Sequence, residues 1–191
     1  MVICHAARNS QNGVKVMSKS TNPPQIKLEP WSDADLGLLR LLNAPEMTEH
    51  LGGPETEEKI LARHKRYLEI EGRGTGRMYA IVMLPERKPV GSIGYWNRVW
   101  QDEHVYEIGW GVLPPYQGKG IATMAVAAAV ALARKEQKVR YVHAFPSIDN
   151  PASNAVCNKL GFSFLAECDF EYPPGSLMRC NDWRLDLHSA T

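Results

Sequence analysis

The sequence predicts a single α/β domain: a mixed, mostly antiparallel twisted sheet flanked by helices, with a β-α-β unit at its centre. Three observations predict it. Strand-like and helix-like segments alternate from about residue 25 onward. A glycine-rich turn at 117–120 leads out of one strand straight into an alanine-rich helix, and another strand follows. The chain then closes on two strand-like runs joined through Pro173, Pro174 and Gly175. Size agrees: 191 residues, 44% hydrophobic and 23% charged, have the composition of one globular domain.

Residues 1–24 are polar, with scattered apolar positions, and are read as an extension outside a domain spanning 25–191. The core begins near Gln25 with a short strand ending at Pro30. Ser32 stands three residues before Asp35, the spacing of a capping box, so a first helix is expected from there to about Leu42. A second starts in the acidic patch 55–58, where carboxylates favour the positive end of a helix dipole. It runs to about Glu71, where Gly72, Gly74 and Gly76 stop it. Strands at 78–84 and 90–96 flank the polar turn Pro85-Glu86-Arg87-Lys88-Pro89, which predicts an antiparallel pair. Residues 97–104 are read as a loop holding Trp100, Asp102, Glu103 and His104, the last a weak candidate for a second base.

The next strand, 105–112, alternates cleanly. Tyr106, Ile108, Trp110 and Val112 share one face, while Val105, Glu107, Gly109 and Gly111 share the other. A helix follows from Ile121 to the basic pair Arg134-Lys135, and a strand at 139–145 completes a β-α-β unit with a parallel pair and a right-handed crossover. Asn150-Pro151 supplies an N-cap and first residue, and Gly161 a C′ position, for a helix of roughly ten residues. On it Asn150, Ser153, Asn154 and Cys157 fall on one polar stripe, with Ala152, Ala155, Val156 and Leu160 opposite. Runs at 162–172 and 181–187 read as a closing antiparallel pair.

Composition narrows the function. With 22 Lys+Arg against 21 Asp+Glu there is no global basic field to draw the chain onto nucleic acid or an anionic membrane. Neither is an expected partner. The apolar run 121–133 is shorter than the roughly 20 residues a bilayer span needs. Cysteines at 4, 157, 168 and 180 form no C-x-x-C pair and have no histidine at ligand spacing, so no metal is expected and reduced, cytoplasmic thiols are.

The turn at 117–123 carries the chemical signal. A glycine-rich turn opening a helix presents free backbone N–H groups at the positive end of a dipole, which suits a diphosphate. A Walker A loop would need Gly at 113 and Ser or Thr at 120; the chain has Leu113 and Gly120. The dinucleotide fingerprint fails as well, with Thr123 in the place of its last glycine. What fits is Gln117-x-x-Gly120-x-Ala122.

That motif follows a strand containing Glu107 and precedes Asn150-x-x-Ser153 and Lys159-Leu160-Gly161-Phe162. Together they resemble the GNAT superfamily of acetyl-CoA-dependent N-acetyltransferases, and most of all its RimJ/RimL-type branch. The motifs cover residues 105–162, and the element order agrees back to about residue 25. The resemblance implies acetyl-CoA as cosubstrate, acetyl transfer to a primary amine by direct attack in a ternary complex, and a homodimer as one arrangement. It places the pyrophosphate on Gln117, Gly118, Lys119, Gly120, Ile121, Ala122 and Thr123, and the pantetheine amides on the backbone of Trp110, Gly111 and Val112. A bulge in that strand is implied to splay it from its neighbour, with Gly109 and Gly111 either admitting the ligand or merely accommodating the bulge. The acceptor amine is implied to enter between segments 43–58 and 97–104.

Amine acetylation needs a neutral amine, a polarised thioester carbonyl and a proton for the leaving thiolate. Glu107 is the candidate base, acting through water, or else a salt-bridged structural acid. The resemblance gives Ser153 the proton-donor role and Asn150 a pantetheine contact, although Ser153 also suits N3 of a capped helix and Asn150 its cap. Many relatives carry a tyrosine at the position of Cys157, and this chain does not. A non-catalytic acyl-CoA-binding or regulatory module on the same scaffold is the alternative.

Overall fold

The structure is a computed structural model that describes residues 24–172, 175 and 177–189. The proposed extension and the Pro173-Pro174 turn lie outside the described residues, apart from Pro24. The strands are β1 (Gln25–Pro30), β2 (Gly76–Leu84), β3 (Lys88–Trp100), β4 (Glu103–Val112), β5 (Tyr141–Ala144), β6 (Ser163–Glu171) and β7 (Leu177–Asp186). They form one sheet in the order β1-β2-β3-β4-β5-β7-β6. Every neighbouring pair is antiparallel except β4 and β5, so the mixed, mostly antiparallel sheet is as the sequence predicts.

The helices are α1 (Leu36–Leu41), α2 (Pro45–Thr48), α3 (Glu57–Glu69), α4 (Ile121–Glu136) and α5 (Pro151–Lys159). The Ser32–Asp35 capping box forms, with Asp35 Oδ2 accepting from the Ser32 backbone N–H at 2.7 Å, and it opens a 3-10 turn that runs into α1. Thr56 caps α3, its hydroxyl facing the Lys59 N–H at 3.5 Å. The sequence reading lacks α2, although Pro45 after Ala44 is the usual first residue of a helix.

One face of the sheet packs on α4, whose Ala125, Ala129 and Ala133 let the helix lie close over Ile93, Ile108 and Val142. Tyr95 and Tyr106 reach past these alanines, and both hydroxyls donate to Glu136 at 2.8 Å. The opposite face meets α1 and α3 through Trp31, Leu38, Leu39, Ile60 and Met78. A smaller cluster of Phe145, Phe170 and Cys180 fills the β5–β7–β6 end. No helix among the described residues is long and apolar enough to cross a membrane.

The expected loop at 97–104 is instead a hairpin tip. β3 continues to Trp100 and β4 starts at Glu103, leaving Gln101 and Asp102 as a two-residue turn with φ of 49° and 64°. Two adjacent left-handed residues are what a tight hairpin turn requires, and the exposed polar side chains at its tip hide the strand alternation. His104 is exposed there and is not among the residues lining the cleft that holds Glu107, so the structure does not bring it to the site as a second base.

Candidate active site

β4 and β5 pair only at Tyr106↔Val142 and Glu107↔His143. β5 pairs with β7 along its whole length, and among the described residues 108–112 have no partner on the β5 side of β4. The strands splay into a V, and backbone N–H and C=O groups that a sheet would pair face a cleft of about 690 Å³. The register between β3 and β4 is unbroken from Gly91↔Val112 to Trp100↔Glu103, so the implied bulge is absent. Divergence of the parallel pair opens the cleft instead. The two glycines serve the roof: a Cβ on Gly111 would meet Leu42 at 3.3 Å, and one on Gly109 the Trp96 ring at 3.1 Å.

At the open end of the V, past Val112, is the turn into α4. Gly118 and Gly120 both take left-handed φ, 70° and 78°, which a side chain would strain. Gly120 is the N-cap and offers no side-chain cap, so the N–H groups of Ile121, Ala122 and Thr123 belong to the uncapped first turn. Met124 is the first residue to close a helical bond, to Gly120 O at 3.0 Å. Gln117 braces the turn, its Nε2 donating to Val112 O at 2.8 Å. Gln117, Gly118, Gly120, Ile121, Ala122 and Thr123 all line the cleft. Lys119 does not: its Nζ donates to Pro115 O at 2.8 Å and sits over the Tyr116 ring.

The α5 stripe splits where the sequence reading kept it whole. Asn150 and Ser153 line the cleft together with Ala152 and Val156. Asn150 Oδ1 accepts from the Ser153 N–H at 3.0 Å, so the cap is real. Asn154 and Cys157 point inward instead. Asn154 donates to Ser147 O and Asn150 O, and its Oδ1 accepts from Asn181 Nδ2 at 2.7 Å and Trp183 Nε1 at 2.8 Å. Cys157 is fully buried, and burial pushes its thiol up to about 12, so it is a core residue with no path to a leaving thiolate. Asn154→Ala would leave two indole and amide donors unmet; we expect a loss of about 2–3 kcal/mol, read as a melting temperature lowered by about 5–10 °C.

At the closed end of the V, where β4 and β5 still pair, lies Glu107. It is mostly buried, and burial raises its carboxyl above the usual range even though Arg98 pulls the other way. Arg98 Nη1 donates to Glu107 Oε2 at 2.6 Å, and the guanidinium lies 4.3 Å from the centre of the Phe170 ring. Sequence reading missed Arg98 because it treated residues 97–104 as loop, where alternation along β3 would have set Arg98 on the face of Glu107. Next to Glu107 in the sheet, His143 Nδ1 is 2.6 Å from Asp182 Oδ1, and Asp182 Oδ2 accepts from Trp100 Nε1 at 2.8 Å. Among the described residues no group of three His, Cys, Asp or Glu side chains is placed to hold a metal ion.

The model of the GNAT acetyltransferase domain matches residues 25–163, which spans the splayed strands, the turn and both flanking helices. The chain belongs to the GNAT acetyltransferase family. No curated protein sequence matches it. Solved GNAT structures superpose well. A spermidine N-acetyltransferase from Vibrio cholerae, in complex with CoA and spermine, is 15% identical with a TM-score of 0.70, covering 85% of this chain and 96% of its own. An acetyltransferase from Salmonella typhimurium that modifies the N-terminal serine of the ribosomal protein L7/L12 is 19% identical with a TM-score of 0.70, covering 84% and 94%. The ribosomal-protein-S5-alanine acetyltransferase from Vibrio fischeri is 21% identical with a TM-score of 0.69, covering 87% and 94%. At these identities the likeness to each of the three is one of fold. In this GNAT chain the matched span ends where β6 begins, so the β6–β7 wall of the cleft lies outside it.

Proposed function

We propose that the protein is an acetyl-CoA-dependent N-acetyltransferase that transfers acetyl to a primary amine by direct attack in a ternary complex. One observation carries this reading: the open edge of β4 joins an uncapped helix N-terminus at one end to a buried carboxylate at the other. From Glu107 to Val112 is five strand residues, ~17 Å at ~3.3 Å each, which suits an extended pantetheine arm. The diphosphate rests on the N–H groups of Gly118 and of residues 120–123, where the helix dipole favours negative charge. The pantetheine amides pair with the backbone of Trp110, Gly111 and Val112, and Asn150 and Ser153 flank the arm from α5.

The amine nitrogen attacks the thioester carbonyl carbon and the carbonyl π pair moves to oxygen. A β4 backbone N–H near residue 108 stabilises that oxyanion. Collapse expels the CoA thiolate and leaves an N-protonated amide. Glu107 takes the excess proton through water, and Ser153 hands a proton to the thiolate as it takes one from adjacent solvent; Glu107 then releases its proton to solvent, so both side chains return to their starting state. The Arg98 bond to Glu107 also favours the reading in which that carboxylate is structural and the chain only binds acyl-CoA. A thermal-shift experiment followed by thiol release separates the two. CoA at 100 times its dissociation constant is expected to stabilise the fold by about 2.7 kcal/mol, with ATP and NAD giving none. Amine-dependent thiol release from acetyl-CoA then identifies the enzyme; protection without release across an amine panel identifies the binding module; no protection by CoA refutes both.

A further inference from the structure

We propose that the acceptor is a primary amine carried on an apolar body of aromatic size, with a single cationic centre, and that polyamines are poor acceptors. The inference rests on the acetyltransferase reading above and specifies its second substrate. Charge supplies the first ground. In the half of the cleft beyond Glu107, Arg98 Nη1 lies 2.6 Å from Glu107 Oε2, and Arg63 brings a second cation to the wall, its Nη2 2.7 Å from Glu55 Oε2, a carboxylate that does not itself line the cleft. The one carboxylate lining this half, Glu107, already has its cation. A polyamine brings a second and third ammonium into this space, and a buried cation without its own counter-charge is strongly disfavoured. The other carboxylates lining the cleft, Glu46 and Glu49, are exposed at its rim.

The surface supplies the second ground. Tyr67, Trp96, Phe145, Phe170, Tyr172 and Met178 line this half of the cleft. Phe145 and Phe170 stack with ring centres 4.5 Å apart, and Tyr67 is held edge-on by Trp31 at 5.4 Å. The two phenylalanines are nearly buried, with Arg98 over the Phe170 ring, and they back the site; the half-buried Tyr67, Trp96 and Tyr172 present the aromatic surface that matches a planar apolar partner. Burial raises the phenols of Tyr67 and Tyr172 above their ordinary range, so both remain neutral donors. Glu107 is thus the one carboxylate lining the inner end, and as a base it takes the proton of one amine while Arg98 holds its charge.

An aromatic monoamine and a peptide that begins with an aromatic residue present the same chemistry, so both are tested. Wild-type protein saturated with CoA is titrated calorimetrically with 2-phenylethylamine, phenylalanyl-glycyl-glycine amide and spermidine, and acetyl transfer to each is then measured. We expect kcat/KM for one of the two aromatic amines to exceed that for spermidine by about tenfold or more, the scale of a well-filled apolar pocket. Which aromatic amine leads identifies the source. Tyr172→Ala should raise KM for that amine about tenfold while CoA affinity stays as in the wild type. Arg63→Met, which removes a cation from the cleft wall, should narrow the gap in favour of spermidine. Spermidine used as well as both aromatic amines, no aromatic amine binding to the CoA complex, or Tyr172→Ala without effect on KM overturns the acceptor assignment and leaves the acetyltransferase reading standing. Failure of the wild type to bind CoA overturns both.

Discussion

Glu107→Gln is expected to lower kcat by about 10²–10³, the scale of a positioned general base, while the dissociation constant for CoA is unchanged. Gln keeps the size and the neutral hydrogen bonding of the side chain, and Glu107 stands at the closed end of the cleft, away from the pyrophosphate turn, so cofactor binding has no reason to change. The pH profile carries the sharper test. Burial raises the Glu107 carboxyl, and Arg98, which lowers it, compensates only in part. Only the ionised form accepts a proton, so the rate of the wild type should fall as pH drops through that raised value, at a higher pH than an exposed glutamate would show. Gln has no such limb. Arg98→Met removes the opposing cation and should move the limb higher still. Stability runs in the opposite sense: a carboxyl with a folded value above its unfolded one favours folding while protonated, and that contribution fades as pH rises through the folded value. Unchanged turnover in Glu107→Gln would remove the residue from the chemistry and leave it a structural partner of Arg98.

The second large effect is expected at the turn. Gly120→Val should weaken CoA by at least about 100-fold, measured by calorimetry, with a melting temperature lowered only modestly. Gly120 holds φ at 78° with nothing within 4 Å of where a Cβ would stand, so the obstacle is backbone strain and not crowding. A β-branched residue resists that conformation by about 1–2 kcal/mol, and it relieves the strain by re-aiming the first turn of α4. Each lost N–H bond to a phosphate oxygen is worth about 1.5–3 kcal/mol, so losing two exceeds the expected 100-fold. Wild-type affinity in a folded Gly120→Val protein would show that the diphosphate does not sit on this turn.

Much of this architecture is legible locally. The alternation of 105–112 sets the faces of β4, Gly118 and Gly120 mark the only backbone that fits the turn, and Asn150-Pro151 starts α5. Each rests on a rule that spans a few residues, so no tertiary information is needed. Errors fall where a residue has two local readings and a distant partner chooses between them. Asn154 looks like a cofactor-facing neighbour of Ser153, yet Asn181 and Trp183 on β7 draw it inward. Arg98 looks like a loop residue until β3 is extended and set beside β4. Lys119, in the middle of the phosphate turn, bonds back to Pro115 instead of facing the cleft.

The sequence by itself determined the family, the order of the elements and the turn that opens α4, because periodicity, caps and glycines act over one or two turns of chain. Only the tertiary structure decided that the cleft opens by divergence of β4 from β5 without a bulge, that Glu107 is shared with Arg98, and that aromatic residues from α3, β3 and the β5–β6 end close round it. Those residues lie as far apart in the chain as Tyr67 and Tyr172, and nothing in their spacing records that they meet. Strand pairing brings them together, and the low dielectric of the enclosure then sets the charge state of the carboxylate at its centre.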